Sequence, residues 1–213
     1  MKRLFDIVGA AAGLIVLSPL FAIISGAIAL ESGRPIFYRG SRIGLLGRPF
    51  HILKFRTMVQ DAESQGTTTA AQDPRITRIG RTLRRYKLDE IPQLLNVLYG
   101  EMSLVGPRPE VEEHTSVYTD EEREILRVLP GITDLSSVYF FRLNELLGSE
   151  SPHERFVSEY RAVKNSLRLE YVRTRSAWLD CSILIATLTS VLSRGRWVLR
   201  LSRKVRPIAR IDT

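Results

Sequence analysis

The hydrophobic pattern begins with a long stretch free of charge. From Ile7 to Leu30 the chain reads "IVGAAAGLIVLSPLFAIISGAIAL", 24 residues without one ionisable side chain. Roughly 20 apolar residues suffice for a helix to cross a bilayer. The apolar core of a signal peptide is about 7–15 residues, so a membrane helix is the better reading. Ser18-Pro19 sits at its centre, and proline removes one backbone bond and kinks a helix. A second apolar stretch, Ser182 to Leu192, is too short to cross. It leads into "SRGRWVLRLSRKVR", where arginines interleave with Trp197, Val198, Leu199 and Leu201. That pattern suits a helix lying in the headgroup layer, with Trp178 as a further interface anchor.

Between these runs the pattern changes period several times. Ile36–Arg39 and Phe50–Phe55 are short β-like pieces punctuated by Gly40, Gly44, Gly47 and Pro49, which predicts a hairpin. Residues 60–74 are polar and read as a mobile loop. Ile76, Ile79 and Leu83 follow helical spacing. Leu94, Leu95, Val97 and Leu98 predict a short buried helix that Gly100 stops. In "GPRPE" two prolines flank Arg108, so the segment is a stiff extended loop. Residues 110–124 hold seven acids and one arginine, a solvated helix with Thr119 as its cap; "LPGIT" (129–133) marks a turn. Residues 152–175 form an amphipathic helical region. The fold class is therefore mostly α with a small β-hairpin (α+β), plus amphipathic helices at a membrane interface.

Charge adds an asymmetry. The net charge is +8 over 213 residues, and the segment from Lys164 to Thr213 carries all of it, with eleven basic and three acidic residues. An anionic surface is the implied neighbour of the C-terminal quarter. The single cysteine, Cys181, excludes an internal disulfide, and His51, His114 and His153 have no metal-site spacing. Lys2 and Arg3 precede the membrane run, while Arg34, Arg39, Arg42 and Arg48 follow it. Basic residues near membrane segments prefer the cytoplasmic side. A single crossing would leave one cluster on the wrong side, whereas a hairpin-like helix bent at Ser18-Pro19 keeps both in the cytosol. From these residues alone, a kinked spanning helix and the hairpin both stay open.

The candidate chemistry lies in "RRYKLDEIP", residues 84–92. Asp89 is a competent helix cap, acids suit a first turn, and Pro92 is tolerated there. Three features favour a reactive centre instead. Six cations and no acid lie between Arg75 and Lys87. Arg108 is presented from a rigid loop, and its fork matches phosphate oxygens. The membrane segment supplies an interface at which phosphate chemistry makes sense. Adjacent helical residues point about 100° apart, so Asp89 and Glu90 would do different jobs.

"KFRTM", "LDEIPQLLNVLYGEMSLVGPRPE" and "PGIT", in this order after a basic-flanked apolar helix with a central Ser-Pro, closely resemble the small monotopic phosphoglycosyl transferases of the bacterial sugar transferase family. The resemblance is strong over residues 1–133 and loose beyond. It implies transfer of a sugar 1-phosphate from a nucleotide sugar, usually a UDP-sugar, to a membrane polyprenol phosphate such as undecaprenyl phosphate. The products would be a polyprenol diphosphate sugar and UMP. Asp89 matches the nucleophile that carries a covalent phosphosugar, a role open to carboxylates. Glu90 matches its partner, which helps bind a metal or deprotonates the lipid phosphate. Mg²⁺, held at Asp89 and Glu90, would neutralise the diphosphate. Lys54, Arg56, Arg84 and Arg108 match phosphate-binding cations. Cations near Asp89 would hold the anionic substrates and keep its carboxylate ionised. The resemblance also implies two units: residues 1–33, a re-entrant helix kinked at Ser18 and Pro19, and residues 34–213, a cytosolic membrane-associated catalytic domain. Together they would form a monotopic protein on the cytoplasmic face of the bacterial inner membrane.

The chain departs from the pattern in two places. Leu129 stands where many members have arginine, and "GITDLSSVYFFR" replaces "GITGWAQV", which leaves the donor-sugar contacts at 134–142 unassigned. Two rival readings are an inactive relative and a membrane-anchored protein binding anionic lipid or nucleic acid without catalysis. The Asp-Glu to Arg108 block argues against the second, so no nucleic-acid partner is expected. The donor sugar, the glycan pathway and the oligomeric state are not written in the sequence.

Overall fold

The computed structural model describes residues 1–60, 62, 73–140, 158 and 160–193. Helix α1, Lys2–Ser32, holds the apolar run. Strands β1, Phe37–Ile43, and β2, Pro49–Phe55, pair antiparallel from Phe37↔Phe55 to Ile43↔Pro49. Then come α2, Arg78–Arg85, a 3-10 turn at Leu88–Glu90, and α3, Gln93–Tyr99. Strand β3, Ser103–Val105, α4, Glu112–Thr115, and β4, Gly131–Thr133, follow. Helices α5, Leu135–Tyr139, α6, Arg161–Thr174, and α7, Ala177–Ser193, complete the described chain. The mostly helical class and the small hairpin are as the sequence predicts. Most of the 60–74 loop, the basic stretch beyond Ser193, and 152–157 and 159 of the predicted amphipathic region lie outside the described residues.

Pro19 lies inside α1. A proline lacks the N–H that would bond four residues back, which leaves the Ile15 carbonyl without its helical donor. Ser18 Oγ donates to that carbonyl at 2.8 Å, so the serine replaces the bond its neighbour removes.

One flank of α1 packs on the rest of the molecule along its whole length. Ala10 joins Ile52, Val97, Met102 and Val105 in one core; Ile24 and Ile28 join Phe55, Leu83 and Ile91 in a second. Phe21 sits 4.8 Å from Phe55 and 5.7 Å from Phe37 by ring centroids, which clamps the hairpin onto the helix. Leu4, Val8, Ile15, Val16, Ile23 and Leu30 are exposed on the other flank. Helix α7 also exposes apolar side chains, Trp178, Ile185, Leu188 and Leu192, with Trp178 79% exposed.

Both ends of α1 carry polar ties to this same body. At the start, Arg3 donates to Val97 O and Leu98 O, closing the C-terminal end of α3. Lys2 Nζ lies 2.7 Å from Asp180 Oδ2 and donates to Val105 O at 3.1 Å. Asp6, buried, accepts from Ser103 Oγ and Leu104 N. At the far end, Glu31 accepts from the backbone N–H of Arg78 and Ile79, capping α2. Lys2 and Arg3 are thus structural ties as well as flanking charges.

Two predicted elements differ. "LPGIT" supplies β4, which pairs parallel with β3 through Ser103↔Gly131 and Val105↔Thr133. Gly131 serves close approach: a Cβ there would stand 2.0 Å from the Gly106 nitrogen. The acidic segment is broken into α4 and a 3-10 segment, Glu122–Arg127. Thr119 caps the second, with Glu122 N donating to Thr119 Oγ1 and Thr119 N donating to Glu122 Oε2.

Candidate active site

Three connections meet at the Asp89-Glu90 pair. Lys87 adopts left-handed backbone, φ 57°, between α2 and the 3-10 turn. Such a conformation is costly for a side-chain-bearing residue and frequent at functional sites. It turns the chain sharply enough to bury Asp89 at 7% exposure directly after an arginine-rich helix. Asp89 is therefore no helix cap: Thr77 caps α2, and neither Lys87 nor Pro92 makes a side-chain cap bond at the next two starts. Its Oδ1 is buried without a hydrogen-bond partner among the described residues.

Glu90 is in the opposite state, with both oxygens occupied. Lys54, from β2, donates to Oε1 at 3.0 Å. Arg108, from the loop after β3, forks onto both, with Nη1 at 3.0 Å from Oε2 and Nη2 on Oε1. Arg108 Nη1 also donates to Ile132 O at 3.1 Å. The stiff "GPRPE" loop thus delivers the fork as predicted, and it meets a carboxylate.

The two acids titrate in opposite directions. Burial pushes the Asp89 pKa up, the Glu90 charge pushes it further, and Lys54, Lys87 and Arg84 pull it back only in part. Burial also works against Glu90, but Arg108, Lys54 and Lys87 outweigh it and hold Glu90 well below the usual range. The expected cations do favour the Asp89 charge, but burial and Glu90 outweigh them, so Asp89 is a poorly solvated carboxylate, more basic than a free one, whereas on Glu90 the cations prevail. Glu90, so depressed, is a weak proton acceptor.

The other predicted cations divide. Arg84 has a charge interaction with Asp89, and its Nε donates to Thr57 Oγ1 at 2.8 Å, which sets its direction. Arg78, Arg81 and Arg85 are exposed on α2, so the run of six cations does not converge on the acids. Arg56, one residue past the end of β2, points elsewhere. Its Nη2 donates to Ser32 O, Ser32 Oγ and Gly33 O, tying the hairpin to the end of α1. No hydrogen bond or ion pair joins it to Asp89 or Glu90 among the described residues.

Gln93 was not singled out from the sequence. Ile91 and Pro92 are helical, so Gln93 stands one turn from Asp89 on the same face. It is 0% exposed, and neither amide atom has a partner among the described residues. Orphaned polar atoms on buried side chains call for a partner, and water or a bound ligand can supply one. The signal available was the i, i+4 spacing from Asp89.

No group of three His, Cys, Asp or Glu side chains converges as a metal cage among the described residues. Among the described residues the oxygen donors are Asp89 Oδ1, without a hydrogen-bond partner, and a Glu90 already paired. That set suits a Mg²⁺ that takes one or two carboxylates and receives its other oxygens from substrate phosphates and water.

The loop bearing Arg108 ends at Glu110. Arg168 Nη2 donates to Glu110 Oε1 at 2.6 Å, and Lys164 Nζ lies 3.7 Å from it. Burial opposes the Glu110 charge, yet Arg168 and Lys164 draw its pKa down from 4.5 to about 2. A depressed acid stabilises fully above its unfolded pKa, and the contribution is lost as pH falls toward the folded value. Glu110 should account for about 3 kcal/mol lost between pH 4.5 and 2. Denaturant unfolding across that window should lose this part of its slope in Glu110→Gln.

The sequence profile of the family described as Bacterial sugar transferase matches residues 1–194. The chain belongs to that family. The transferase is 43% identical over 213 residues to the exopolysaccharide production protein ExoY of Sinorhizobium fredii, covering 92% of this chain and 88% of the relative. It is 38% identical over 196 residues to the UDP-glucose:undecaprenyl-phosphate glucose-1-phosphate transferase of Caulobacter vibrioides, covering 90% and 70%. An Escherichia coli protein of the same description is 37% identical over 192 residues, 88% of this chain and 39% of that longer relative. The family and the enzyme class match what "LDEIPQLLNVLYGEMSLVGPRPE" implies.

Proposed function

We propose that this transferase moves a sugar 1-phosphate from a UDP-sugar to undecaprenyl phosphate, giving undecaprenyl diphosphate sugar and UMP in two steps through Asp89. The observation that carries the reading is Asp89 Oδ1, buried and without a hydrogen-bond partner among the described residues, beside Lys54, Arg84 and Lys87. In the first step an Asp89 oxygen attacks the phosphorus bearing the sugar. The bond from that phosphorus to the bridging oxygen breaks, and UMP leaves with the bond's electron pair. In the second step a phosphate oxygen of the lipid attacks the same phosphorus and Asp89 departs. A raised pKa favours this role, because a carboxylate short of hydration and hydrogen bonds is a better nucleophile. Glu90, kept charged by Arg108 and Lys54, keeps Asp89 basic and holds those two cations at the edge of the site. Mg²⁺, held by Asp89 and Glu90 together with substrate oxygens, would supply charge neutralisation on the diphosphate. The named activities of relatives support the donor and acceptor classes: UDP-glucose and undecaprenyl phosphate for the Caulobacter protein.

The same reading makes the protein monotopic on the cytoplasmic face of the inner membrane. It is supported by the polar ties of Lys2, Arg3 and Asp6 at one end of α1 and Glu31 at the other. A folded body that packs along the whole of α1 and ties both its ends keeps both ends on its own side of a bilayer. Cysteines engineered at positions 2 and 34 should resist an impermeant thiol reagent in intact cells. Labelling at either would contradict the topology.

A panel of UDP-sugars incubated with undecaprenyl phosphate tests the reaction. At least one donor should release UMP and yield a lipid-linked diphosphate sugar. Release of UDP would instead indicate glycosyl transfer at the anomeric carbon and overturn the proposal.

A further inference from the structure

Arg168 is a cation from α6 with 1% exposure. Its Nη2 donates to Glu110 Oε1 at 2.6 Å and its Nη1 to Asn165 Oδ1 at 3.1 Å. Its Nε faces Asp134 Oδ2 at 3.6 Å, an ion pair without a hydrogen bond. Asp134 is 0% exposed. Its Oδ1 accepts from Ser137 N at 2.6 Å, capping α5, and its Oδ2 accepts from Ser136 Oγ at 2.7 Å. The same Oδ2 accepts from the backbone N–H of Arg108 at 3.2 Å. Glu110 is fixed from the other side, its carbonyl accepting from Ile43 N at 2.9 Å. Arg168 therefore grips the Arg108 loop at two points: through Asp134 at Arg108 itself, and through Glu110 two residues on.

Stability alone does not specify this arrangement, although the Arg168–Glu110 pair contributes to it. A buried cation between a buried acid, Asp134, and a partly exposed one, Glu110, pays a desolvation penalty, and apolar replacements of similar volume are often as stable. What it fixes is the backbone position from which the Arg108 fork reaches both Glu90 oxygens. A fork tolerates misplacement poorly, whereas a lysine is a point charge on a flexible stem.

We propose that Asp134 and Arg168, with Glu110, are positioning residues that set where the Arg108 guanidinium meets Glu90 and the substrate phosphates. The inference rests on the proposed role of Arg108 in sugar-phosphate transfer. Its test compares Asp134→Asn in two backgrounds, using UMP release with the UDP-sugar found by the donor panel. With Arg108 present, kcat should fall about tenfold while KM changes less than about twofold, as a small misplacement of a reacting group predicts. In an Arg108→Lys background the same change should cost less than about twofold. An equal loss in both backgrounds would mean a merely structural role and overturn the proposal, as would no loss in either. Should Asp134→Asn not fold, Arg168→Lys is read in the same way.

A second readout is independent of activity. In ¹⁵N-arginine spectra, the two Nη groups of Arg108 should be distinct while the fork is held, assigned by their loss in Arg108→Lys. They should average in Asp134→Asn. Unchanged Arg108 signals would overturn the clamp even if no UDP-sugar were turned over, a result that by itself would sink only the proposed function.

Discussion

Asp89→Asn should abolish sugar-phosphate transfer, with kcat down by at least about 10³-fold, while the protein stays as stable as the parent or becomes more so. The two halves have one cause. Burial and Glu90 push the Asp89 pKa above its unfolded value. An acid raised in the folded state weakens stability as pH climbs through its unfolded pKa, so at neutral pH the charge is held against a penalty. Asparagine keeps the shape, removes the charge and cannot attack phosphorus. Thermal unfolding and UMP release, measured on the same preparation, check both halves. Loss of activity with a large loss of stability would make Asp89 a structural acid.

Arg108→Gln should do the reverse to stability. It leaves Glu90, largely buried, with Lys54 as its remaining ion-pair partner among the described residues, and leaving such a group short of a partner costs about 1–3 kcal/mol. Activity should fall about 10²-fold, the scale for removing a group that stabilises transition-state charge. The double variant Glu90→Gln/Arg108→Gln should regain most of the stability and stay inactive. A double variant as active as the parent would place both residues outside the chemistry; one as unstable as Arg108→Gln would show that the pair is not what the arginine stabilises. Denaturant titration and UMP release separate these outcomes.

Much of the fold was legible because its signals are local. The hairpin followed from glycine and proline punctuation, and α3 from four apolar residues and Gly100. The stiffness of "GPRPE" correctly placed Arg108 on a loop. What the sequence hid depends on distant contacts. Gly131 looked like a turn residue because its reason, the backbone of Gly106, lies 25 positions away in the chain. Asp89 looked like a cap because the left-handed turn at Lys87 has no glycine to announce it. The six cations looked like one cluster, but helical rotation turns Arg78, Arg81 and Arg85 outward and leaves Arg84 toward Asp89. The roles of Asp134 and Arg168 could not be read, since a buried ion pair 34 residues apart has no periodic signature.

The central claim is that Asp89 carries the sugar phosphate. Intact-protein mass spectrometry after mixing with each UDP-sugar, without undecaprenyl phosphate, tests it most directly. With the true donor the chain should gain the mass of one phosphosugar, matched by one equivalent of UMP, on a peptide containing Asp89. Addition of undecaprenyl phosphate should discharge the adduct, and Asp89→Asn should never form it. UMP release that requires the lipid, with no mass gain on the protein at any time, would contradict the account.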